Sequence, residues 1–549
     1  MTKKVRLISR SKLTFRIGVL LDSNKISLAE VDLVKNLALK TDPKNLLVFI
    51  PTPRKSRSNL SRIKLKHFST HPILTLIEFF ESILFFRDPL VKFSRLRLNA
   101  LNFLSNMGHS ENELPPQIVE IASIEEISHC KLDYLVYQGS LYSPQEIADT
   151  NSCSVISFGG DSLAQQGLLE INNCESQTSF YVARFIPSKS HPQILLSGSY
   201  LTQRFYILNR INLRTRRTIG LVKALDFINE VPKLNKLVSV TKINTHLNGS
   251  VRGNLLKYVR HVIRFSFTKI WNRYVVRKRY SWQIWFSSQK GVPPHKLTTS
   301  NVPEMTNSHF ADPFLFQNKG INFLFAEEYS AQGGDGYISA FEISDQKLDY
   351  LGQAITENYH LSFPFIFRAG SNIYLCPETS KNKSVQIYKS LDFPLTWDRP
   401  LVLIEEIDAA DPIILRGKNG LWYLLCTVDR FNLGDHSSEL YVFYANRLDT
   451  DVWKPHALNP IIINPGEARN GGLVQSDGKF IRIAQSYGFL KYGEGYTHRE
   501  IRLLSETEFD EREIKKVKIA DFGLNLGAIG THHFSSLNNF TATDLLFYN

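Results

Sequence analysis

The chain has 549 residues, 43% of them hydrophobic, and a formal net charge of +13, which together predict a folded protein of two or three domains. Its 36 Phe and 22 Tyr are typical of chains rich in strands, because pleated surfaces favour aromatic side chains. Its five cysteines contain no CxxC pair, which argues against a disulfide framework and against a zinc site.

The N-terminal segment is basic, but its apolar run from Ile17 to Leu21 is too short for a signal peptide. No apolar run reaches the length of a membrane-spanning helix. We therefore expect a cytoplasmic protein, soluble or peripheral at the inner face of a membrane.

The first predicted elements belong to an α/β unit with parallel strands. A buried strand at Phe15–Leu21 is followed by a helix at Leu28–Leu39 and a second apolar strand at Leu46–Ile50. Further strands are predicted at Ile118–Ile121, Tyr134–Tyr137 and Ser154–Phe158. We assign residues 1–245 to an open α/β sheet.

The apolar stretch from Ile73 to Phe86 has helical spacing, with two glutamates on the opposite side. The simpler interpretation is a helix whose apolar side faces the core. The alternative is a helix that touches a membrane.

A basic run from Arg252 to Arg279 contains nine Lys or Arg and no Asp or Glu. Apolar residues interleave with these charges, which predicts a basic amphipathic linker helix within residues 246–281. It is either a solvated connector or a surface for an anionic membrane. No nucleic acid partner is expected, because the motifs of nucleic-acid-binding folds are missing.

Similar segments recur in the rest of the chain. Aligned on a proline or its equivalent, the copies start at Pro313, Pro364, Pro412 and Gly471, spacings of 51, 48 and 59 residues. A second apolar strand follows each of them. Repeats of about 50 residues that contain short strands and turns are typical of propeller blades.

The C-terminus, near Thr531–Phe547, and the strand at Trp282–Ser287 supply material for one more blade. The predicted fold of residues 282–549 is therefore a five-bladed β-propeller. The fold class of the whole chain is α/β plus all-β.

Three carboxylates are predicted to converge on one funnel of this propeller. Asp312 and Asp411 occupy equivalent positions before the prolines of two blades, and Glu378 ends an inner strand between them. Paired carboxylates are what glycosyl chemistry needs, so we predict that these three residues are catalytic. The alternative is that Asp before Pro only caps neighbouring backbone N–H groups.

The propeller region resembles the N-terminal β-propeller domain of plant glucosamine inositolphosphorylceramide transferases and their bacterial relatives. That domain is similar in architecture to five-bladed furanosidase-like and arabinanase-like glycosidases, and in the plant enzymes a separate transferase domain follows it. The resemblance rests on these motifs, which fall in order: His309-Phe-Ala-Asp-Pro-Phe, Phe325-Ala-Glu-Glu, Ser362-Phe-Pro-Phe-Ile-Phe, Pro377-Glu-Thr-Ser, Asp411-Pro, Trp453-Lys-Pro-His456, Asn459-Pro460, Ala468-Arg469-Asn-Gly-Gly and Ala484-Gln485.

The resemblance implies a glycosyltransferase-type enzyme of bacterial cell-surface polysaccharide or glycolipid biosynthesis. A nucleotide sugar is the expected donor, a carbohydrate or glycolipid the expected acceptor, and no metal is assigned. The alternatives are a glycoside hydrolase of the furanosidase-like type and a non-catalytic glycan-binding propeller. The predicted substrate-binding residues are Glu327, Glu328, His360, Arg469, Gln485 and His532.

The first domain is similar to formyltransferases that act on methionyl-tRNA or amino sugars. The similarity rests on Asp133-Tyr-Leu-Val136, Val155-Ile-Ser-Phe158, Gly159-Gly160-Asp161 and Gly167-Leu-Leu-Glu170. Ser157 and Gly159 stand where that family has its catalytic Asn and His. The sequence therefore predicts a degenerate domain without formyl transfer.

Overall fold

The computed structural model divides the chain into two compact units, Ile8–Arg264 and Phe265–Asn549. The described residues are 13–53, 55, 61, 72–107, 115–159, 167–228, 251–271, 280–287, 308–330, 333–344, 347–522 and 527–548. The predicted domain boundaries at 245 and 281 stay predictions, and a helix at Val251–Trp271 crosses the division between the units.

The first unit is built on a sheet of seven strands in the order β5-β3-β1-β6-β7-β8-β9. Its strands, with the small pair β2 and β4, are β1 Ile17–Leu20, β2 Lys25–Ser27, β3 Leu46–Pro51, β4 Arg97–Asn99, β5 Gln117–Ile121, β6 Tyr134–Tyr137, β7 Ser154–Phe158, β8 Gln177–Phe185 and β9 Gln193–Leu201. The strands from β5 to β7 pair in parallel, and β8 and β9 add an antiparallel edge.

The predicted α/β sheet is confirmed, and the strands lie where the apolar runs place them. Every residue of β3 and β7 is buried, as is typical of parallel strands covered on both faces. The hairpin of β8 and β9 was not predicted.

The described helices of this part of the chain are α1 Leu28–Lys40, α2 Pro72–Leu84, α3 Pro89–Arg95, α4 Ala100–Ser105, α5 Pro144–Asn151, α6 Leu168–Asn172, α7 Tyr206–Arg216, α8 Thr218–Asp226 and α9 Val251–Trp271. Ser27 and Glu30 form a capping box at the start of α1, which fixes where this helix begins. None of the helices in the described part of the chain combines the length and the hydropathy of a membrane-spanning segment.

Helix α2 corrects one prediction. In the simpler of the two interpretations its apolar side faces the core, but most of that side is exposed, and Leu74, Glu78 and Glu81 are the side chains that face inward. Glu78 pairs with Arg210, and Glu81 accepts hydrogen bonds from the Tyr258 hydroxyl and from the backbone N–H of Ile207. The orientation of α2 follows from these partners, because a carboxylate is buried only where other groups pair with it or donate hydrogen bonds to it.

The basic run does form a helix, α9, as its spacing predicts. Tyr258 is its buried anchor in the first unit. The C-terminal part of the run, residues 272–279, lies outside the described residues.

The second unit is a five-bladed β-propeller, as predicted. Its strands are β10 Tyr280–Ser287, β11 Ser308–Asn318, β12 Ile321–Ser330, β13 Tyr337–Ser344, β14 Lys347–Ile355, β15 Ser362–Ala369, β16 Asn372–Glu378, β17 Ser384–Asp392, β18 Thr396–Trp397, β19 Leu401–Glu405, β20 Ala409–Arg416, β21 Trp422–Val428, β22 Glu439–Ala445, β23 Lys454–Pro455, β24 Ile462–Ile463, β25 Asn470–Ser476, β26 Lys479–Gly488, β27 Lys491–Leu504, β28 Phe509–Lys518, β29 Ala528–Gly530, β30 Phe534–Leu537 and β31 Phe540–Tyr548. Blades one to four are β11–β14, β15–β19, β20–β24 and β25–β28, and blade five contains β10 and β29–β31.

Blade five closes the ring by joining both ends of the unit. Strand β10 pairs antiparallel with β31, from Tyr280 opposite Tyr548 to Ser287 opposite Thr541. The short strands β29 and β30 pair with the other edge of β31. Closure of a ring protects strand edges that would otherwise be exposed.

Apolar side chains between neighbouring blades form the core of the propeller. One cluster includes Phe314, Phe363, Leu424 and Tyr441, all less than a tenth exposed. This packing holds the inner strands in a fixed arrangement around the central channel, which positions the polar groups described next.

Candidate functional site

The inner strands of blades one to four share one irregularity. Their pairing with the second strand skips two residues, between Ala311 and Phe314, Ser362 and Phe365, Ala410 and Ile413, and Asn470 and Leu473. Such a bulge bends a strand and re-aims its side chains. The common register also shows that Gly472, rather than the predicted Gly471, is the equivalent of the three prolines.

The first bulge residue adopts a positive φ in three blades, at Asp312 (50°), Phe363 (46°) and Asp411 (49°). Residues other than glycine rarely adopt this conformation, because it crowds the side chain against the backbone. Surrounding bonds must therefore hold these residues in place.

Carboxylates of one blade supply part of those bonds by capping the bulge of the next blade. Asp544 accepts the backbone N–H of Asp312 at 3.2 Å, and Asp312 accepts that of Phe363 at 3.3 Å. Glu378 accepts the N–H of Asp411 at 3.2 Å. The capping role considered for the aspartates before proline is thus present in Asp312, and it links blades rather than neighbours in sequence. Asp411 instead accepts from the side chains of Arg469 and Gln485.

Arg469 joins the carboxylates of blades two and three. Its Nε and Nη2 donate to the two oxygens of Asp411 at 2.5 and 3.3 Å, and Nη2 lies 3.7 Å from Glu378 Oε2. Gln485 also donates to Asp411, at 3.0 Å. Burial alone would raise the pKa of Glu378, but the charge of Arg469 holds it below its usual range.

His532 lies between two buried carboxylates in a similar way. Its Nε2 is 3.1 Å from Asp312 Oδ1 and its Nδ1 is 3.1 Å from Asp544 Oδ2. Burial opposes the charged ring, but Asp544 and Asp312 raise the pKa of His532 to about 10. The same charge lowers the pKa of Asp312 against the effect of its burial.

Asp312, His532 and Asp544 also offer three ligand atoms within 4.8 Å of one another. A metal ion would need an unprotonated ring nitrogen from His532. The same two carboxylates raise the pKa of His532, so a proton on this ring and a metal ion would compete for the same position.

Glu327 differs from the other carboxylates because it has no strong cation beside it. Its Oε1 lies 3.2 Å from His360 Nε2, and this histidine is about a third exposed. Burial raises the pKa of Glu327, and the charges of Asp312 and Glu378 add to the effect, while the hydrogen bond with His360 opposes it. A carboxylate whose pKa is raised is a stronger base than an ordinary carboxylate.

The structure brings together all of the predicted site residues except Glu328. Side chains alternate along a strand, so Glu328 points away from Glu327 and bonds with Ser308, Ser339 and Tyr350 instead. Whether the gathered residues bind substrate or take part in catalysis stays a prediction.

Several residues of the site were not predicted. Asp544 comes from the last strand, where no copy of the repeat motif marks it. Tyr492 is about a third exposed and lies beside Arg469, with 5.6 Å between the guanidinium carbon and the ring centre. Its ring also contacts His532 and Trp282. Tyr492 lies outside the repeated segments, so an alignment of the repeats gives no signal for it.

In the first unit, Gly159 lies at a position that has no room for a side chain. A Cβ at Gly159 would lie 1.8 Å from the Tyr181 ring, and Ser157 is buried in β7. The resemblance of this unit to formyltransferases and the loss of formyl transfer stay predictions. Gly160 and Asp161 lie outside the described residues.

Comparison with known families finds similar proteins for the propeller region. Residues 287–526 match the family model described as glucosamine inositolphosphorylceramide transferase 1, N-terminal. The enzyme of that name from Arabidopsis thaliana is 30% identical over 278 residues, which cover 49% of this chain and 35% of the relative. Its counterpart from Oryza sativa subsp. japonica is 32% identical over 216 residues, 38% of this chain and 28% of the relative. The predicted resemblance is confirmed for this region, and the chain spans about a third of the length of these curated relatives.

Solved structures with a similar fold include the catalytic domain of an α-L-arabinofuranosidase from Coprinopsis cinerea. It is 11% identical, with a TM-score of 0.33, and the match covers 43% of this chain and 90% of that one. An exo-β-1,3-galactanase from Clostridium thermocellum is also 11% identical, with a TM-score of 0.32 and coverage of 39% and 50%.

Proposed function

We propose that this chain is a glycosyltransferase-type enzyme of glycolipid biosynthesis and that it binds the sugar or sugar phosphate in the funnel of the propeller. One observation carries the proposal. The region that matches the glucosamine inositolphosphorylceramide transferases, residues 287–526, contains the gathered residues Glu327, His360, Glu378, Asp411 and Arg469.

Arg469 is the proposed phosphate-binding group. Its guanidinium is held by Asp411, yet its side chain remains about a fifth exposed. A guanidinium presents several N–H donors in a plane, so it can hold a carboxylate on one edge and a phosphate on another. The adjacent Tyr492 ring offers an apolar surface for a sugar.

Glu327 is the proposed base. During transfer, the bond from the anomeric carbon to the phosphate oxygen of the donor breaks, and a bond to the acceptor oxygen forms. The proton of the acceptor hydroxyl passes to Glu327, whose raised pKa makes it a better base than an ordinary carboxylate. The phosphate leaves with the bonding electrons, and Arg469 stabilises its charge.

Asp312, Glu378 and Asp411, which the sequence predicts to be catalytic, have a positioning role in this proposal. Asp312 and Asp411 are already paired with His532 and Arg469, and Glu378 caps a backbone N–H. In this arrangement they orient the cations and hold the funnel together. Burial also raises the pKa of Asp411 against the effect of Arg469, but both oxygens of Asp411 already accept hydrogen bonds from Arg469, so Glu327 is the proposed base.

A transfer assay tests the proposal. The full chain is incubated with nucleotide sugars and vesicles that contain inositolphosphorylceramide, and the masses of the lipids are then measured by mass spectrometry. We expect a lipid heavier by one sugar, with turnover reduced by about 100-fold or more in Glu327→Gln, because general base catalysis contributes that much. Glu405→Gln, an exposed carboxylate of blade two, is the matched control and should leave turnover unchanged.

The assay also separates the alternatives. Release of free sugar without a lipid product would favour a hydrolase. Binding of sugars with neither product would favour a glycan-binding propeller and would contradict the enzyme.

A further inference from the structure

Helices α2 and α9 expose an unusual amount of apolar surface in the first unit. We call this surface the α2–α9 face, and its residues are Leu76, Phe79, Phe80, Ile83, Leu84, Leu256, Val259 and Ile263. These side chains are between 44% and 74% exposed. The α2 members recur at the spacing of one helical face, and the paired glutamates keep that face turned outward.

The two helices also enclose an apolar cleft rather than a closed core. A cavity of about 230 Å³ lies between them, lined by Phe80, Leu84, Val259 and Ile263, among others. Glu81 and Tyr258 also line it, but their polar atoms are bonded to each other. The cleft therefore offers apolar contacts and has room for a side chain or part of an acyl chain.

Positive charge borders this face. Along α9, Lys257 and Arg260 are exposed on one flank of the apolar stripe, and the helix contains no Asp or Glu. Arg87 and Arg95, which follow α2, are also exposed, and Arg95 donates to the carbonyl of Ser82 in α2.

We propose that the α2–α9 face binds the surface of an anionic lipid bilayer. Its apolar side chains enter the headgroup boundary, and the basic side chains at its border contact lipid phosphates. A second copy of the chain is a poorer occupant, because self-association would bring two basic borders together. The residues involved lie outside the region that matches the transferase family, so the proposal stands independently of the funnel's function.

Vesicle co-sedimentation of the full chain tests this proposal. We expect binding to vesicles of phosphatidylcholine mixed with phosphatidylglycerol, much weaker binding to phosphatidylcholine alone, and loss of binding as salt increases. Lys257→Gln/Arg260→Gln should weaken binding about 30-fold, because each basic residue near an anionic surface contributes on the order of fivefold. Phe79→Ser/Phe80→Ser should weaken it at least about tenfold, because two apolar side chains no longer insert.

Matched variants on the propeller serve as controls. Lys381→Gln/Lys418→Gln removes two exposed charges, and Leu391→Ser/Val452→Ser removes two exposed apolar side chains. Both should bind vesicles as the unmodified chain does. The proposal is overturned if the chain does not bind anionic vesicles, if it binds neutral vesicles equally well, or if the α2–α9 variants bind anionic vesicles as well as the unmodified chain does. A dimer in solution that the Phe79→Ser/Phe80→Ser variant dissociates, without vesicle binding, would show that a second copy covers the face.

Discussion

Helix α2 of the first unit and the inner strands of the propeller both place carboxylates inside the protein, but they do so in different settings. In α2, Glu78 and Glu81 each find a partner from a distant segment, and the helix shows its apolar side to solvent. In the propeller, Asp312 and Asp411 occupy the same bulge of two blades, and their partners also come from the ring.

This contrast shows that a repeated motif predicts which side chains converge in the fold. Equivalent positions in a ring of blades must converge, so convergence follows from alignment alone. A single amphipathic helix has no such constraint, because its pattern separates two faces without saying which one is buried.

The largest effect is expected from Asp544→Asn. Asp544 is fully buried and accepts three backbone N–H groups besides its contact with His532. Its replacement leaves a buried cation short of a partner, which should destabilise the propeller by about 3–5 kcal/mol.

Denaturation followed by tryptophan fluorescence checks this prediction, because all six tryptophans lie at or after Trp271. Asp449→Asn, an exposed carboxylate of the same unit, should change little. Equal stability of the two variants would mean that the ring of capping carboxylates does not hold the blades together.

A somewhat smaller change in the free energy of unfolding is expected when the pH is raised and His532 loses its proton. The pKa of His532 rises from 6.5 to about 10 on folding, so its stabilising contribution is complete below pH 6.5 and is lost as the pH approaches 10. The unmodified propeller should lose on the order of 2–4 kcal/mol over this range relative to His532→Gln. Urea titrations of both proteins at several pH values measure the difference, and parallel pH profiles would show that His532 is not charged in the folded state.

Tyr258→Phe tests how much a buried hydrogen bond contributes to the stability of the first unit. Its hydroxyl donates to Glu81 and accepts the N–H of Tyr206, so its loss should cost about 1–3 kcal/mol. The helical circular dichroism should melt earlier while the tryptophan transition stays in place. A shift of the tryptophan transition instead would assign this tyrosine to the stability of the other unit.

The smallest effect is expected from Phe79→Ser/Phe80→Ser. Because both rings are exposed, each substitution should change the free energy of unfolding by no more than about 0.5 kcal/mol. Melting of the helical signal provides the measurement. A loss several times larger would place these rings in a core, and the outward orientation of α2 would be wrong.

The sequence predicts the strands of both units well, because runs such as Leu46–Pro51 and the copies around Pro313, Pro364 and Pro412 carry strong apolar patterns. It also predicts that Asp312, Glu378 and Asp411 meet. It could not predict Asp544, since no repeat copy marks the last strand, or that Glu328 points away from Glu327. The orientation of α2 depends on Arg210, Ile207 and Tyr258, which are distant in sequence and leave no local pattern.

Calorimetric titration of the full chain with nucleotide sugars and inositol phosphates tests the central claim most directly. We expect saturable binding of at least one of these compounds, weakened about tenfold or more in Arg469→Lys, because lysine cannot hold Asp411 and a phosphate through one planar group. Arg447→Lys, at an exposed ion pair of the propeller, should bind as the unmodified chain does. Binding that is unchanged in folded Arg469→Lys, or no binding of any compound by the full chain, would contradict a sugar-phosphate site in the funnel.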